Sequence, residues 1–557
     1  MYSDPHPEPY GRRPKTRTLW LLAAIGFIVF IWVQLLPTTD SESLQVQQST
    51  QIITKEQARE SAAKFAATAL GYAGDLGEAL VTYDTDSDVY GYLTREDLMA
   101  DFLKKYDKQF PYDVFQVRFE HPDAETSALT VDVHMTTGKV VGFEKTGDYE
   151  LSVSSSWEQI LEQANPILSA LGFDENTEMV VDEVPNGLLL TLSGYTVGEA
   201  QAEVGVTYDG GRVTMVESYF DIPQSYTDYI DRQTTIANWL TYVGYALMTF
   251  VLGILAIVYS ALKRIHTSFK RGIILASVYF LISLGSAINM LPYFEKEGIS
   301  GPILIFSMFI QGIVTLIMAA SIYFSLVGGD GLWREQGIAL WPRAKEQGYG
   351  RHVLSAVWDG YAWALILLGV QSVIFLVLEN TIHMWSTTDD SQSTYNMLYP
   401  ALLPLLAWVA GIGEEAVYRL FGIPMLKKMF RSTVAASVIT TLIWAFGHTL
   451  YPIYPVISRP IELLFIGLLF SFIFLRYGFI TVMFAHVIFD SLLMSISVMF
   501  TGGALNIAAG IFFIALPAIV AYVIYLFNPP GKERPPVPPQ KKEEPLFTTP
   551  LPPGGHL

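Results

Sequence analysis

Three short stretches place ionisable side chains inside apolar surroundings. They are Glu414, Glu415 and Arg419 in GEEAVYRLFG (413–422), His448 in WAFGHT, and His486 with Asp490 in FAHVIFD. A charged side chain at mid-bilayer costs between about 2.5 and 17 kcal/mol, depending on how it is measured, so such groups call for a functional reason. On a helix Glu415 and Arg419 are i and i+4 and can pair. Glu414 is rotated about 100° from Glu415; it stays outside that pair and is available as a base. His486 and Asp490 are also i and i+4 and point at the same space. Counted from the nearest basic cluster at about 1.5 Å per residue, Glu414, His448, His486 and Asp490 lie roughly 20, 25, 15 and 21 Å deep. A carboxylate base, two imidazoles and a hydrogen-bonding acid at comparable depth could activate water and stabilise an oxyanion. That is the chemistry of peptide hydrolysis without a covalent intermediate. Glu414, His448, His486 and Asp490 could also hold Zn²⁺, although HExxH is absent. Metal-free glutamate catalysis is the preferred reading, with no cofactor expected and zinc as the alternative. For any one of these residues taken alone, a structural ion-pair network between helices is the simpler reading.

Together the three stretches resemble a known family. EEAVYR (414–419) is similar to the EExxxR motif of the CAAX prenyl endopeptidase and bacteriocin-processing (CPBP, Abi-type) intramembrane proteases. Trp444 to His448 is similar to that family's second motif, usually FxxxH, with Trp in the Phe place. His486 to Asp490 is similar to the third, HxxxN or HxxxD. The order and spacing fit over roughly residues 355–500. The resemblance implies that Glu414 is the general base and that His448 assists it. His486 and Asp490 would bind the carbonyl oxygen or orient the water, with Glu415, Arg419 and Trp444 supporting the site. Asp490 stands where the prenyl-protease branch has Asn; a carboxylate is a poor oxyanion donor unless protonated, and holding His486 is its expected role. The prenyl-protease members imply catalysis without zinc. The expected function is an intramembrane endopeptidase acting on membrane-embedded or membrane-associated proteins or peptides. The alternative is a non-proteolytic membrane scaffold, or a bacteriocin-immunity or regulatory protein that keeps the fold.

The elements that must position these residues follow from hydropathy. The chain has 557 residues, is 51% hydrophobic and 16% charged, and contains no cysteine. It is therefore too apolar for an ordinary soluble protein, and disulfides, thiolate metal sites and a cysteine nucleophile are excluded. LWLLAAIGFIVFIWVQLL (19–36) is long enough to span a bilayer and reads as an uncleaved anchor. Further apolar stretches near 239–262, 272–292, 302–326, 353–378, 398–426, 433–450, 461–477, 479–500 and 505–527 bring the expected count to ten. Basic clusters alternate with acidic loops from a basic N-terminus (1–18) onward, which predicts both termini in the cytoplasm of a multi-pass cell-membrane protein.

Residues 38–235 differ in character. They hold 35 of the Asp and Glu residues against 12 Lys and Arg, so nucleic-acid binding is not expected. This predicts an extracytoplasmic α+β domain inserted after the first span. Thr54 is the expected N-cap of a helix over 54–71, and a second helix is expected over 157–172. VHMTTGKVVGFE (133–144) and VTYDGGRVTMVE (206–217) both read as strand, tight turn, strand. Two copies of a helix-plus-hairpin unit result, similar to the PepSY modules found outside bacterial membranes. That likeness makes the domain a candidate site for an extracytoplasmic peptide ligand. Residues 236–352 read as membrane helices with a cytoplasmic loop, 353–527 as the protease core, and 528–557 as a Pro-rich disordered cytoplasmic tail.

Overall fold

The computed structural model describes residues 15–529, apart from 37–38, 50, 73, 75, 124, 148–155, 174–176 and 347. The basic N-terminal stretch up to residue 14 and the Pro-rich tail from residue 530 lie outside the described residues. The chain is mostly helical, with one separate sheet-rich domain near its N-terminus.

That domain holds a single antiparallel sheet. Its strands are β1 (Ala79–Thr85), β2 (Asp113–Glu120), β3 (Thr126–His134), β4 (Val140–Gly147), β5 (Met179–Val184), β6 (Gly187–Val197), β7 (Ala200–Asp209) and β8 (Arg212–Asp221). The spatial order β1-β2-β3-β4-β8-β7-β6-β5 shows two four-stranded meanders joined edge to edge. The junction is antiparallel, with Phe143 opposite Val216. A helix precedes each meander, Lys55–Ala69 in the first half and Trp157–Leu171 in the second. Both helices start with a capping box, Thr54 with Gln57 and Ser156 with Gln159, which satisfies N–H groups that the first turn leaves orphaned. The two segments singled out in the sequence form the β3–β4 and β7–β8 hairpins, the same position in each half. Residues alternate between buried and half-buried along β2 and β7, as a sheet packed on one face requires.

Eight helices are long and apolar enough to cross a membrane among the described residues; two shorter apolar helices are Ile273–Asn289 and Thr433–Phe446. The ten apolar stretches expected from sequence thus appear as eight full-length and two short helices. Many of their outward side chains are bare apolar groups, such as Ile274, Ile305 and Phe306, the surface a lipid environment covers. One helical rod, Gln224–Leu262, runs for 39 residues from the end of the sheet domain into the membrane part. The domain boundary expected at residue 235 therefore falls inside a continuous element. The first span docks on Tyr349–Ile382, where Gly26 faces Gly369: a Cβ on Gly369 would lie 2.4 Å from the Gly26 Cα. Small residues at a crossing allow such backbone approach between helices in lipid.

Candidate active site

The segment 398–426, expected as one span, is broken into three kinds of helix. A 3₁₀ turn covers Pro400–Leu405, an α-helix Leu406–Glu414, and a π-helical stretch Glu415–Gly422. Two prolines, Pro400 and Pro404, lie in the 3₁₀ turn. The change of helical type falls between the two adjacent glutamates, and π-turns of this kind frequently mark functional sites. The two carboxylates face different surroundings. The Glu415 side chain is fully buried, whereas that of Glu414 is 26% exposed.

Around Glu414 the other segments converge. His448 Nε2 lies 4.0 Å from its Oε1, and His486 Nε2 lies 3.7 Å from its Oε2. The Trp444 indole N–H donates to Oε2. His448 sits just past the end of the Thr433–Phe446 helix rather than within it. Its Nδ1 meets the Trp444 carbonyl at 3.0 Å. Since a carbonyl only accepts, Nδ1 carries the proton and Nε2 is left to face Glu414. His486 and Asp490 lie on Phe479–Phe500, with Asp490 Oδ2 3.5 Å from His486 Nε2.

Behind this layer lies a sealed one. Glu415 Oε1 accepts from Arg419 Nη1 at 3.0 Å and from His486 Nδ1 at 2.8 Å. Arg419, fully buried, has its guanidinium carbon 4.6 Å from the Trp444 ring centre and 5.3 Å from that of Phe470. Phe470 in turn stacks on the His486 ring at 4.4 Å. A buried guanidinium is tolerated when it is both paired and flanked by aromatic faces. The sealed layer thus fixes the orientation of His486, while Glu414, His448 and Asp490 keep partial exposure.

All seven residues expected from the motifs meet in this one cluster. Sequence reasoning missed the aromatic packing around it. Tyr245 lies against Gly447, where a Cβ would meet its Cδ2 at 2.6 Å, and Tyr279 lies against Gly413 at 3.0 Å. Tyr451 stacks on His448 at 5.8 Å, and Arg459 covers Tyr451 at 5.2 Å. Nothing in their local sequence separates these rings from ordinary membrane aromatics. The Arg459–Glu462 pair forms at 2.5 Å. Glu462 is fully buried, with Gln371 as a further donor. Among the described residues, no three His, Asp or Glu side chains meet in metal-holding geometry.

Fold and site together define a polytopic membrane protein with a buried acid–imidazole cluster on three separate segments. Residues 396–492, which contain the whole cluster, match the family described as type II CAAX prenyl endopeptidase Rce1-like, and this stretch is an Rce1-like domain. The chain is also similar to the sporulation-killing factor biosynthesis protein SkfC of Bacillus subtilis (strain 168), with 28% identity over 139 residues. That similarity covers 25% of this chain and 28% of the relative. No solved structure matches the chain significantly.

Proposed function

We propose that this protein is an intramembrane endopeptidase in which Glu414 activates water for attack on a peptide bond. The observation that carries this reading is the convergence of Glu414, His448 and His486, from three non-adjacent segments, in one cluster backed by a sealed ion pair. The 4.0 Å between Glu414 Oε1 and His448 Nε2 is long for a direct hydrogen bond. It suits a bridging water. Glu414 takes one proton from that water as its oxygen bonds to the scissile carbonyl carbon. His448 Nε2, bare of a proton in the tautomer set by Trp444, accepts the water's other hydrogen bond. His486, held through Nδ1 by Glu415, presents Nε2 to the carbonyl oxygen; with a second proton on the ring, it donates to the oxyanion. Glu414 then returns its proton to the leaving nitrogen as the C–N bond breaks. Such acid–base work contributes about 10²- to 10⁴-fold.

The residues present do not gather as a zinc site, and no step here is routed through a metal. The substrates are membrane-embedded or membrane-associated proteins or peptides. Both termini lie in the cytoplasm and the sheet domain outside it, as the loop charges suggest. The test is cleavage of a fluorogenic peptide library by purified wild type, Glu414→Gln and His448→Ala in detergent. Both variants are expected to lose turnover at unchanged melting temperature; equal turnover in all three overturns the reading. Turnover that persists in chelator, with no stoichiometric zinc by mass spectrometry, is the expected result for the metal.

A further inference from the structure

A cavity lies at the seam between the sheet domain and the loop after residue 382. It has a volume of about 340 Å³ and is lined by Asp107, Asp113, Tyr90, Tyr112 and His134 of the sheet domain and Thr388 of that loop. This falls within the range of about 300–1,000 Å³ of small-ligand sites. Among the described residues, neither lysine nor arginine lines it. Two carboxylates therefore face the cavity, with the His134 imidazole beside them. Gln48 anchors Asp107 Oδ2 at 2.8 Å, and the Tyr83 hydroxyl anchors Asp113 Oδ1 at 2.6 Å. Burial, aided by the charges of Asp107 and Asp84, pushes the Asp113 carboxyl up to about 6 against its hydrogen bonds. A positive charge placed in the cavity would relieve that penalty. The Tyr90 and Tyr112 rings meet edge to face at 5.1 Å in its wall, and aromatic faces favour cations.

A second observation concerns His134, which is only 3% exposed. Its Nδ1 accepts the Thr136 backbone N–H at 3.2 Å. The neutral ring then carries its proton on Nε2, 3.4 Å from Asp107 Oδ2, and Nε2 has no hydrogen-bond partner. A buried N–H without a partner carries a desolvation cost of about 1–3 kcal/mol that an acceptor on a ligand would offset. The lining thus asks for a cation with a hydrogen-bond acceptor close beside it. A peptide amino terminus has that pattern, because its ammonium and first carbonyl oxygen are joined through a single Cα. A lysine side chain offers the ammonium without the carbonyl.

We propose that this cavity binds the free amino terminus of a peptide, its ammonium held between Asp107 and Asp113 and its first carbonyl oxygen on His134 Nε2–H. The proposal stands apart from proteolysis and is tested by binding alone. Full-length protein in detergent at pH 7 is titrated calorimetrically with three probes: Ala-Ala-Ala-amide, its N-acetylated form, and N-acetyl-Ala-Lys-Ala-amide. The free amine is expected to bind, and acetylation to weaken binding at least about tenfold, the loss expected for a charge-assisted contact. The lysyl peptide is expected to bind less tightly than the free amine. Asp107→Asn is expected to weaken the free-amine probe by a similar factor. Because the acetylated and free probes are compared on wild type, a variant that fails to fold leaves the test intact. Equal binding of free and acetylated probes, or no binding of either, overturns the proposal. Tightest binding of the lysyl peptide overturns the assignment to a terminus.

Discussion

At the scale of single residues, Glu414 and Glu415 are neighbours in sequence with opposite tasks. Glu414 is partly exposed; Glu415 holds both Arg419 and His486 in a dry layer. Glu414→Gln keeps the shape and an acceptor for the Trp444 N–H, so turnover should fall about 10²- to 10⁴-fold while thermal melting stays near wild type. Glu415→Gln should behave differently. It leaves Arg419 buried without its countercharge, a loss of about 3–5 kcal/mol for pairs of this kind, and it weakens the bond that holds the His486 ring. Melting temperature and turnover should fall together, measured on the same preparation; unchanged melting would show that the pair is not sealed. The i, i+4 spacings made the Glu415–Arg419 and His486–Asp490 pairings legible in the sequence. The bond from His486 to Glu415 was not legible, because 71 residues separate them and no local pattern reports such a contact.

At the scale of elements, glycines decide how closely the helices that carry the site approach. A Cβ on Gly411 would lie 2.5 Å from Val487 Cγ2 and 3.0 Å from the Met483 carbonyl oxygen. This is where the helix ending in Glu414 packs on the helix bearing His486. Gly411→Ala should force the two apart, at about 1–3 kcal/mol as for other overpacked cores, with a drop in turnover. Gly285→Ala serves as the control, since nothing lies within 4 Å of its added Cβ. Thermal melting and peptide cleavage of the two variants should separate them clearly. Apolar run lengths announced the helices themselves. The π-helical turn at Glu415–Gly422 and the 3₁₀ turn before it had no such signature, since helical type there answers to packing on several neighbours at once.

At the scale of the whole molecule, the sheet domain is tied to the loops that frame the site. Asn396 donates to the Tyr83 carbonyl and accepts its N–H, at 2.9 and 2.7 Å, and Lys296 pairs with both Asp84 and Asp390. Trp385 and Ser386 pair as a short strand with Tyr454 and Ile453, a few residues beyond His448. Trp385 also packs on Tyr226 of the sheet-domain side at 6.0 Å. Trp385→Ala should therefore lower kcat more than it raises KM, because it loosens the support of His448 without touching the site residues. The domain's stability should also depend on pH. Burial, reinforced by nearby acids, raises Asp113 to about 6 and Asp132 to about 7. Groups with raised carboxyl values favour the folded state fully below the unfolded value of about 3.9, and that contribution is lost as pH rises through 6 and 7. Burial lowers Lys55 to about 8, and its effect changes only above that pH, outside this window. Melting of the sheet domain, followed by near-UV circular dichroism, should move to lower temperature between pH 5 and pH 8, with Asp113→Asn and Asp132→Asn flattening the slope. By itself the sequence determined the membrane character, the acidic inserted domain with its paired hairpins, and the six ionisable side chains of the cluster, because hydropathy period, charge balance and helical spacing are local quantities; Trp444 was added only by the motif resemblance. Only the tertiary structure decided that Glu415 orients His486, that Phe470 and Trp444 enclose Arg419, and that the sheet domain rests on the loop behind His448. Those contacts join segments far apart in the chain, and they exist only once helix packing has brought their side chains within a few ångströms.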